Sequence, residues 1–441
     1  IVWLQRVERE HENFRAALGW ALEQAEVESG LRLCVAVARF WDVRGHASEG
    51  RQWLAQALAA GRARLTPSAP ADERARYGGA LNWASEFAWK QGDYGAARAL
   101  AEEGLTLFRA VGDTRGMAGS LNNLGIVAWY QGDYGTARAL YAEGLALRRA
   151  LGDQRGMATS FHSLGLVAWN QGDYAEARAL YLESLALRRA LGDKRGMANS
   201  LNNLGLVAAN QGDYAEARAL YTESLTLSRE LGDKRGIATS LHNLGIAARN
   251  QGDYAEARAL YVESLALRRE LGNKQGMASL LNSLGIVAWN QGDYAEARAL
   301  YAESLALQRE LGDKRGMANS LNNLGLVAAN QDDYAEARAL YTESLTLRRE
   351  LGNTWGMAET LVGWAGLALA RQQPQRAATL SGAVAALLAV THLPLDGFER
   401  SMHDNTIAAL RAQLDEATFN AAWEAGRALT LEQAIEYALN E

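Results

Sequence analysis

The chain has 441 residues, 49% of them apolar, with four prolines, one cysteine and a net charge of -6. That balance excludes a basic footprint for nucleic acid or an anionic membrane surface, and Cys34 alone rules out an internal disulfide and points to a reducing, cytoplasmic setting. No apolar run reaches the roughly 18 residues a membrane helix needs, and the dominance of Ala, Leu, Glu, Arg and Gln predicts an almost all-helical protein.

No secretory signal opens the chain, and a start at Ile1 rather than Met suggests a fragment of something longer. "VEREHENFRAALGWALEQ" reads as one helix and "LRLCVAVARFWDVRGHASEGRQWLAQALAAG" as a helix pair. Together they make an N-terminal helical cap over 1–64. "LTPSAPADE" marks a polar linker, taken as 65–76. From 77 to 356 the sequence repeats itself seven times at a spacing of forty residues, the first copy diverged at Trp83 and Glu86. A degenerate eighth unit follows over 357–390, with Pro374 where the others carry Tyr. The C-terminal cap, 391–441, holds a helix over 397–413 capped by Asp396, one over 416–425 capped by Asp415, and a last one opened by the capping-box pattern "TLEQ". Terminal units with a different outer face keep a repetitive array soluble and in register.

One unit, 197–236, shows the physics. Leu201, Leu204, Gly205 and Ala208 fall on one helical stripe. Gly212 suits the left-handed turn that closes this helix. A second helix begins near Tyr214, with Ala217, Leu220, Tyr221, Ser224, Leu225 and Leu227 on its apolar side. Gly232 stops it and Asp233 caps the next helix. Small residues at Gly205, Ala208, Ala217 and Ser224 let the two helices approach closely. The tyrosines of the recurring "GDY" (Tyr94, Tyr134, Tyr174, Tyr214, Tyr254, Tyr294, Tyr334) are expected in the core.

The spacing of Leu204-Gly205, Ala217 and Tyr221 resembles that of tetratricopeptide repeats. The unit departs from the pattern in its extra six residues, in Ala208 where an aromatic is usual, and in Arg229 where the terminal proline would stand. The resemblance implies a right-handed superhelix, an all-α solenoid of antiparallel helix pairs, whose first helices line a concave groove. "WLQRVEREHENFRAALGWAL" and "FNAAWEAGRALTLEQAIEYAL" resemble the segments that flank the helical sensor region in MalT-like, STAND-type bacterial signal-transducing ATPases and LuxR-type regulators. That likeness implies a parent chain with an ATPase part and a DNA-binding part outside these residues. Here no "GK[ST]" occurs, so the chain itself carries no P-loop.

The copies differ most at one place on the first helix, which reads Trp129, Trp169, Ala209, Arg249, Trp289 and Ala329. A buried position could not make those exchanges, because truncating a buried Trp costs roughly 3–5 kcal/mol. The place therefore faces water or a ligand. Beside it lie three more rows on the same helical side. One reads Asn122, His162, Asn202, His242, Asn282, Asn322; the next Asn123, Ser163, Asn203, Asn243, Ser283, Asn323; the last Tyr130, Asn170, Asn210, Asn250, Asn290, Asn330. Trp83, Trp89 and Lys90 continue the face toward the amino end. By contrast Glu143, Glu183, Glu223, Glu263, Glu303 and Glu343 on the second helix never change, and neither do the arginines at 149 and its equivalents. Two variable places, at 142 and 154, fall off this face.

An Asn amide both donates and accepts, so a row of them can hold the backbone of an extended peptide at intervals, while Trp and Tyr supply apolar contact. These rows form the candidate ligand-binding groove. A second reading stays open: the Asn rows as helix-surface residues hydrogen-bonded between repeats, and the tryptophans as stacking on neighbouring repeats. No nucleophile elbow, paired acid or phosphate loop appears, so no catalysis is expected, and no cofactor is implied. The histidines are too scattered for a metal site. The functional expectation is a protein- or peptide-binding module, with a self-assembly scaffold and a small-molecule sensor as alternatives.

Overall fold

The computed structural model describes residues 2–66, 68–391, 395 and 397–440. Among them the chain forms 23 α-helices and no strand, and no helix is long and apolar enough to cross a membrane. It divides into two compact units, residues 1–227 and 228–441. Asp396, expected to cap the helix after it, and His392 lie outside the described residues.

The first unit opens with α1 (Val2–Arg9), α2 (His11–Glu23), α3 (Val27–Arg44) and α4 (Ala47–Arg62), packed around Leu31, Cys34, Phe40, Trp41 and Leu54. The single helix expected over 7–24 is broken at Glu10, whose backbone sits at φ -98°, ψ 11°. Helix pairs follow: α5 (Ala71–Lys90) with α6 (Tyr94–Val111), α7 (Thr114–Tyr130) with α8 (Tyr134–Ala150), and α9 (Gln154–Asn170) with α10 (Tyr174–Ala190). The last pair is α11 (Lys194–Asn210) with α12 (Tyr214–Glu230), whose final residues fall in the second unit. Helix α5 begins inside the expected linker: Pro70 pre-sets the entry, and Asp72 and Glu73 sit in the first turn, where the helix dipole favours acids.

The second unit repeats the scheme with α13 (Lys234–Asn250) and α14 (Tyr254–Glu270), α15 (Lys274–Asn290) and α16 (Tyr294–Leu311), and α17 (Lys314–Asn330) and α18 (Tyr334–Glu350). A more apolar pair, α19 (Thr354–Ala370) and α20 (Pro374–Thr391), comes next. Helices α21 (Gly397–Gln413), α22 (Glu416–Arg427) and α23 (Leu431–Leu439) close it. Asp415 caps α22 through the Thr418 amide at 2.9 Å, and Thr430 with Gln433 forms the capping box expected for α23. Gly382 and Gly426 put α20 and α22 in backbone contact, since a Cβ on either would strike the other helix's main chain.

The local code of the repeat is visible in each pair. Asp193 accepts from the Gly196 amide at 3.1 Å and Asp213 from Glu216 at 2.9 Å, the N-cap bonds that satisfy orphan donors. Gly212 takes φ +82° and Gly232 φ +62° to end the helices. Asp332 replaces glycine in the "DDY" copy and adopts φ 61°, a conformation a short acid tolerates. Within a pair, a Cβ on Gly205 would overlap Tyr221 Cε1 and stand 2.7 Å from its Cδ1, so glycine alone admits the ring. Ser184 on α10 donates to the Ala158 carbonyl of α9 at 2.8 Å, and Ser264 and Ser304 repeat the bond in the second unit.

No pair closes its own core. Ala168, Tyr181, Leu185, Leu201 and Val207 share one cluster drawn from α9, α10 and α11, so each pair is completed by the first helix of the next. The "GDY" tyrosines are not core residues. They are half-buried at the start of each second helix, because the closing turn holds them at the rim. The buried ring of each pair is Tyr141, Tyr181, Tyr221, Tyr261, Tyr301 or Tyr341 instead. The unchanging outer residues also have a structural reason: Arg189 pairs with Glu223 at 2.9 Å and Arg229 with Glu263 at 3.0 Å, each between second helices of neighbouring pairs. Exposed pairs of this kind contribute about 0–1 kcal/mol each.

Candidate functional site

One side of each first helix carries the rows singled out by sequence, and parts of it touch the partner helix, as Asn202 touches Ser224 and Trp289 touches Tyr294. Placement differs from row to row. Trp89, Trp129, Trp169, Arg249 and Trp289 are half-buried, as are Ala209 and Ala329. Trp289 lies against the "GDY" ring of Tyr294 at 4.8 Å between ring centres, and Trp129 with Tyr134, like Trp169 with Tyr174, packs on one shared apolar cluster. The indole Nε1 atoms of Trp89, Trp129 and Trp169 are enclosed without a hydrogen-bond partner. Trp289 also packs against the apolar cluster of the pair that follows it.

The last row is the most open. Tyr130, Asn210, Asn250, Asn290 and Asn330 are exposed and Asn170 is half-buried. Asn170, Asn210, Asn290 and Asn330 turn their amides back to the carbonyl four residues earlier, at 2.7–3.2 Å, and Asn250 accepts from Arg249 at 3.0 Å. Tyr130 stacks on Tyr94 at 5.3 Å and on Trp89 at 6.0 Å. Lys90 is not a free cation: it pairs with Glu86 at 2.7 Å and with Asp42.

The two Asn-rich rows are drawn inward. Asn123, Asn202, Ser283 and Asn322 are buried, while Asn122, His162, Ser163, Asn203, His242, Asn243, Asn282 and Asn323 are half-buried. Several bond across repeats. Asn323 donates to Asn282 Oδ1 at 3.0 Å, Asn123 to the Asn82 carbonyl at 2.9 Å, and Asn203 lies 3.4 Å from His162 Nε2. His242 is 3.4 Å from Ser283 Oγ, whereas Asn202 donates within its own pair, to Ser224 Oγ at 2.7 Å. These bonded amides hold neighbouring first helices in register and have little left to offer a guest. Asn122 and Asn322 each keep an enclosed Oδ1 without a partner.

Burial, with a contribution from Arg188, pushes His162 down to about 3. Burial, with Arg268 and Arg249, pushes His242 down to about 4. Both imidazoles are therefore neutral at pH 7. Among the described residues no three potential ligands cluster for a metal.

Two rows outside the candidate groove residues belong to the same face. Ile126, Leu166 and Leu206 in the first unit, and Ile246 and Ile286 in the second, are half-buried between the Asn and Trp rows. The second is contributed by the ends of the second helices and reads Phe108, Arg148, Arg188, Ser228, Arg268, Gln308 and Arg348. Its copy-to-copy variation was visible in the sequence, but nothing local shows that these side chains reach under the first helices. Arg188 donates to the Gly196 carbonyl at 2.5 Å and Ser200 Oγ at 3.3 Å. Arg348, 2% exposed, pairs with Glu359 at 2.7 Å. Burial holds Arg148 and Arg188 below the usual arginine range, against the pull of Asp153 and Asp193. In the first unit a cleft of about 460 Å³ opens on this face, with Asn82, Trp83, Arg115, Asn122 and Arg148 in its lining.

The chain resembles several solved structures at low identity. It aligns with the apo form of the quorum sensor NprR from B. thuringiensis at 15% identity and a TM-score of 0.59, over 82% of this chain and 99% of that one. The apo form of RapI aligns at 13% identity and 0.52, over 62% and 97%. A STAND protein with a tetratricopeptide repeat sensor, PH0952 from Pyrococcus horikoshii, aligns at 13% and 0.51, over 85% of this chain and 55% of that one. At such identities the likeness concerns the fold alone. No curated protein matches by sequence. Tetratricopeptide repeat profiles match residues 76–150, 156–230, 196–270, 276–350 and 316–389, and 122–188 again. Spanning most of the length and every helix pair from α5 to α20, these matches make the chain a member of the tetratricopeptide repeat family, an all-α solenoid of the kind that serves as a protein-binding module.

Proposed function

We propose that the first-helix face of each unit binds a polypeptide segment, without catalysis, and that the chain is the sensor part of a cytoplasmic STAND-type ATPase or transcription regulator. The carrying observation is the half-buried Trp/Ala/Arg row. It lies beside a half-buried aliphatic strip, so apolar surface is left partly open to solvent at positions where the copies differ in size and charge. Surface of that composition favours a guest with apolar side chains, and aromatic anchors are where binding energy concentrates. The two end motifs support the parental context.

A randomised dodecapeptide library displayed against the chain tests the reading. Ala209→Arg with Ala329→Arg places bulk on the face of each unit, and Arg249 shows that the same place accepts arginine. Peptides recovered on the wild type are expected to bind this variant at least tenfold more weakly, with an unchanged melting temperature. Thr222→Arg with Ala302→Arg, exposed on second helices, is expected to leave binding intact. Loss of binding in the second variant and not the first would transfer the role to the outer face.

A further inference from the structure

One arginine of the second unit lacks everything that its counterparts have. The same place near the end of the second helix holds Arg148, Arg188, Arg268 and Arg348 in four copies. Arg148 donates to the Gly156 carbonyl at 3.1 Å and to Ser160 Oγ at 2.6 Å, and Arg188 to their equivalents, Gly196 and Ser200. Each also feels the charge of a capping acid, Asp153 or Asp193. Arg348 has Glu359 at 2.7 Å.

Around Arg268 these groups are exchanged for neutral ones. Leu280, fully buried, stands where the serines stand. Asn273 replaces the capping acid, and its Oδ1 is taken by the Gly276 amide at 2.9 Å. Ser279, which is exposed, occupies the place of Glu359. Arg268 itself is half-buried. Its Nη1 lies against Gly276 in the first turn of α15, where an added Cβ would overlap it. Its Nε is enclosed without a hydrogen-bond partner, and among the described residues the side chain makes no hydrogen bond or ion pair. The charge that acts on it is a second cation, Arg235 at the start of α13. Arg235 is exposed and likewise has no ion-pair partner among the described residues. Two acids in this part of the repeat are spent elsewhere, Glu310 on Lys274 and Glu270 on Lys234, both at 2.6 Å.

A guanidinium offers five N–H donors in a rigid plane. Enclosing it without an acceptor gives up hydration for nothing, and a neighbouring guanidinium adds repulsion. An anion relieves both costs at once. Two uncompensated charges favour a doubly charged guest, and phosphoryl oxygens match the arginine fork with charge-assisted bonds. The first turn of α15 contributes the positive end of its helix dipole.

We infer that Arg268 and Arg235, where α14 meets the first turns of α13 and α15, hold a phosphate-type dianion, free or carried as a phosphomonoester. This does not rest on the peptide-binding reading, since a free ion needs no polypeptide guest.

Calorimetric titration of the full chain with inorganic phosphate, phenyl phosphate and acetate, at pH 7.5 and constant ionic strength, tests the site. Saturable uptake of inorganic phosphate is expected, with acetate about tenfold weaker or more. Phenyl phosphate bound as well as the ion identifies a phosphomonoester site; its exclusion identifies a site for the free ion; either supports the inference. Ser279→Glu copies Glu359 and supplies a carboxylate from within the chain, and Arg268→Leu removes the cation. Each is expected to lower phosphate affinity about tenfold or more. Ser279→Glu changes an exposed side chain and keeps the arginine, so it carries the test if Arg268→Leu melts early. Arg269→Gln removes the adjacent exposed charge, which pairs with Glu303 at 3.4 Å, and should leave affinity unchanged. Equal uptake by all four proteins would show phosphate screening the surface at large and overturn the site, as would the lack of saturable uptake by the wild type. Acetate bound as tightly as phosphate would overturn the dianion.

Discussion

At pH 4.5 the array is expected to lose about 2.5 kcal/mol through each of two histidines, His162 in the first unit and His242 in the second. The sign follows from their surroundings. An unfolded histidine titrates near 6.5, whereas burial holds His162 at about 3 and His242 at about 4 in the fold. Below pH 6.5 the unfolded chain takes up protons that the folded chain refuses. Stability therefore falls as the pH drops through 6.5, and the loss levels off only below the folded values. The groups facing each ring do not oppose this: Arg188 and the Tyr181 ring lie by His162, and Arg268, Arg249 and the Tyr261 ring by His242. Melting temperatures between pH 7.5 and 4.5 check it. His162→Asn with His242→Asn, the residue that Asn122 and Asn202 carry at that place, should melt like wild type at pH 7.5 and clearly later at pH 4.5. His403, also held down by burial, leaves a residual slope. Parallel profiles for the two proteins would show that these imidazoles accept protons without cost.

Gly205→Ala is expected to destabilise its pair by about 2 kcal/mol, although alanine is the better helix former by about 1 kcal/mol. The added methyl would overlap Tyr221 Cε1, and Tyr221 is 2% exposed, so the ring has no free space to enter. The helices must separate, and with them the bond from Ser224 to the Ala198 carbonyl at 2.9 Å that joins α12 to α11. Gly79→Ala, on a helix of the same unit but with open space at its Cβ, should instead gain up to about 1 kcal/mol. Trimming the ring in the double variant Gly205→Ala, Tyr221→Leu should recover part of the loss, a coupling that only contacting residues show. Amide exchange on α11 and α12 reads the effect locally, which suits an array whose pairs can open separately. Equal protection in Gly205→Ala and wild type would mean that the helix spacing is not set by this contact.

How far the site was legible depends on the distance over which each interaction reaches. The contrast between a drifting first-helix row and unchanging second-helix acids was legible in the sequence. The outer constancy, however, has its own cause in pairs such as Arg189 with Glu223. Variation at Ala209 or Trp169 therefore marks freedom from such pairing as well as contact with a guest. The Asn rows show the limit most sharply. Asn203 and Asn123 read as a ladder of free amides, but their partners lie in the repeat before, at His162 and the Asn82 carbonyl. Arg148, half-buried at the end of α8, was passed over because its exposure depends on the helices beside it.

Sequence by itself determined the helix pairs, their caps, as at Asp233, and their stops at Gly212 and Gly232. Each of these acts within one helix or one pair, where residue spacing and backbone geometry leave a single solution. Tertiary structure alone decided which polar side chains are consumed between repeats, which tyrosine of each pair is buried, and that Gly79 and Gly119 open a cleft beside Arg148. Those outcomes depend on how one pair is set against the next, so a side chain's partner some forty residues away is fixed only once the helices have stacked.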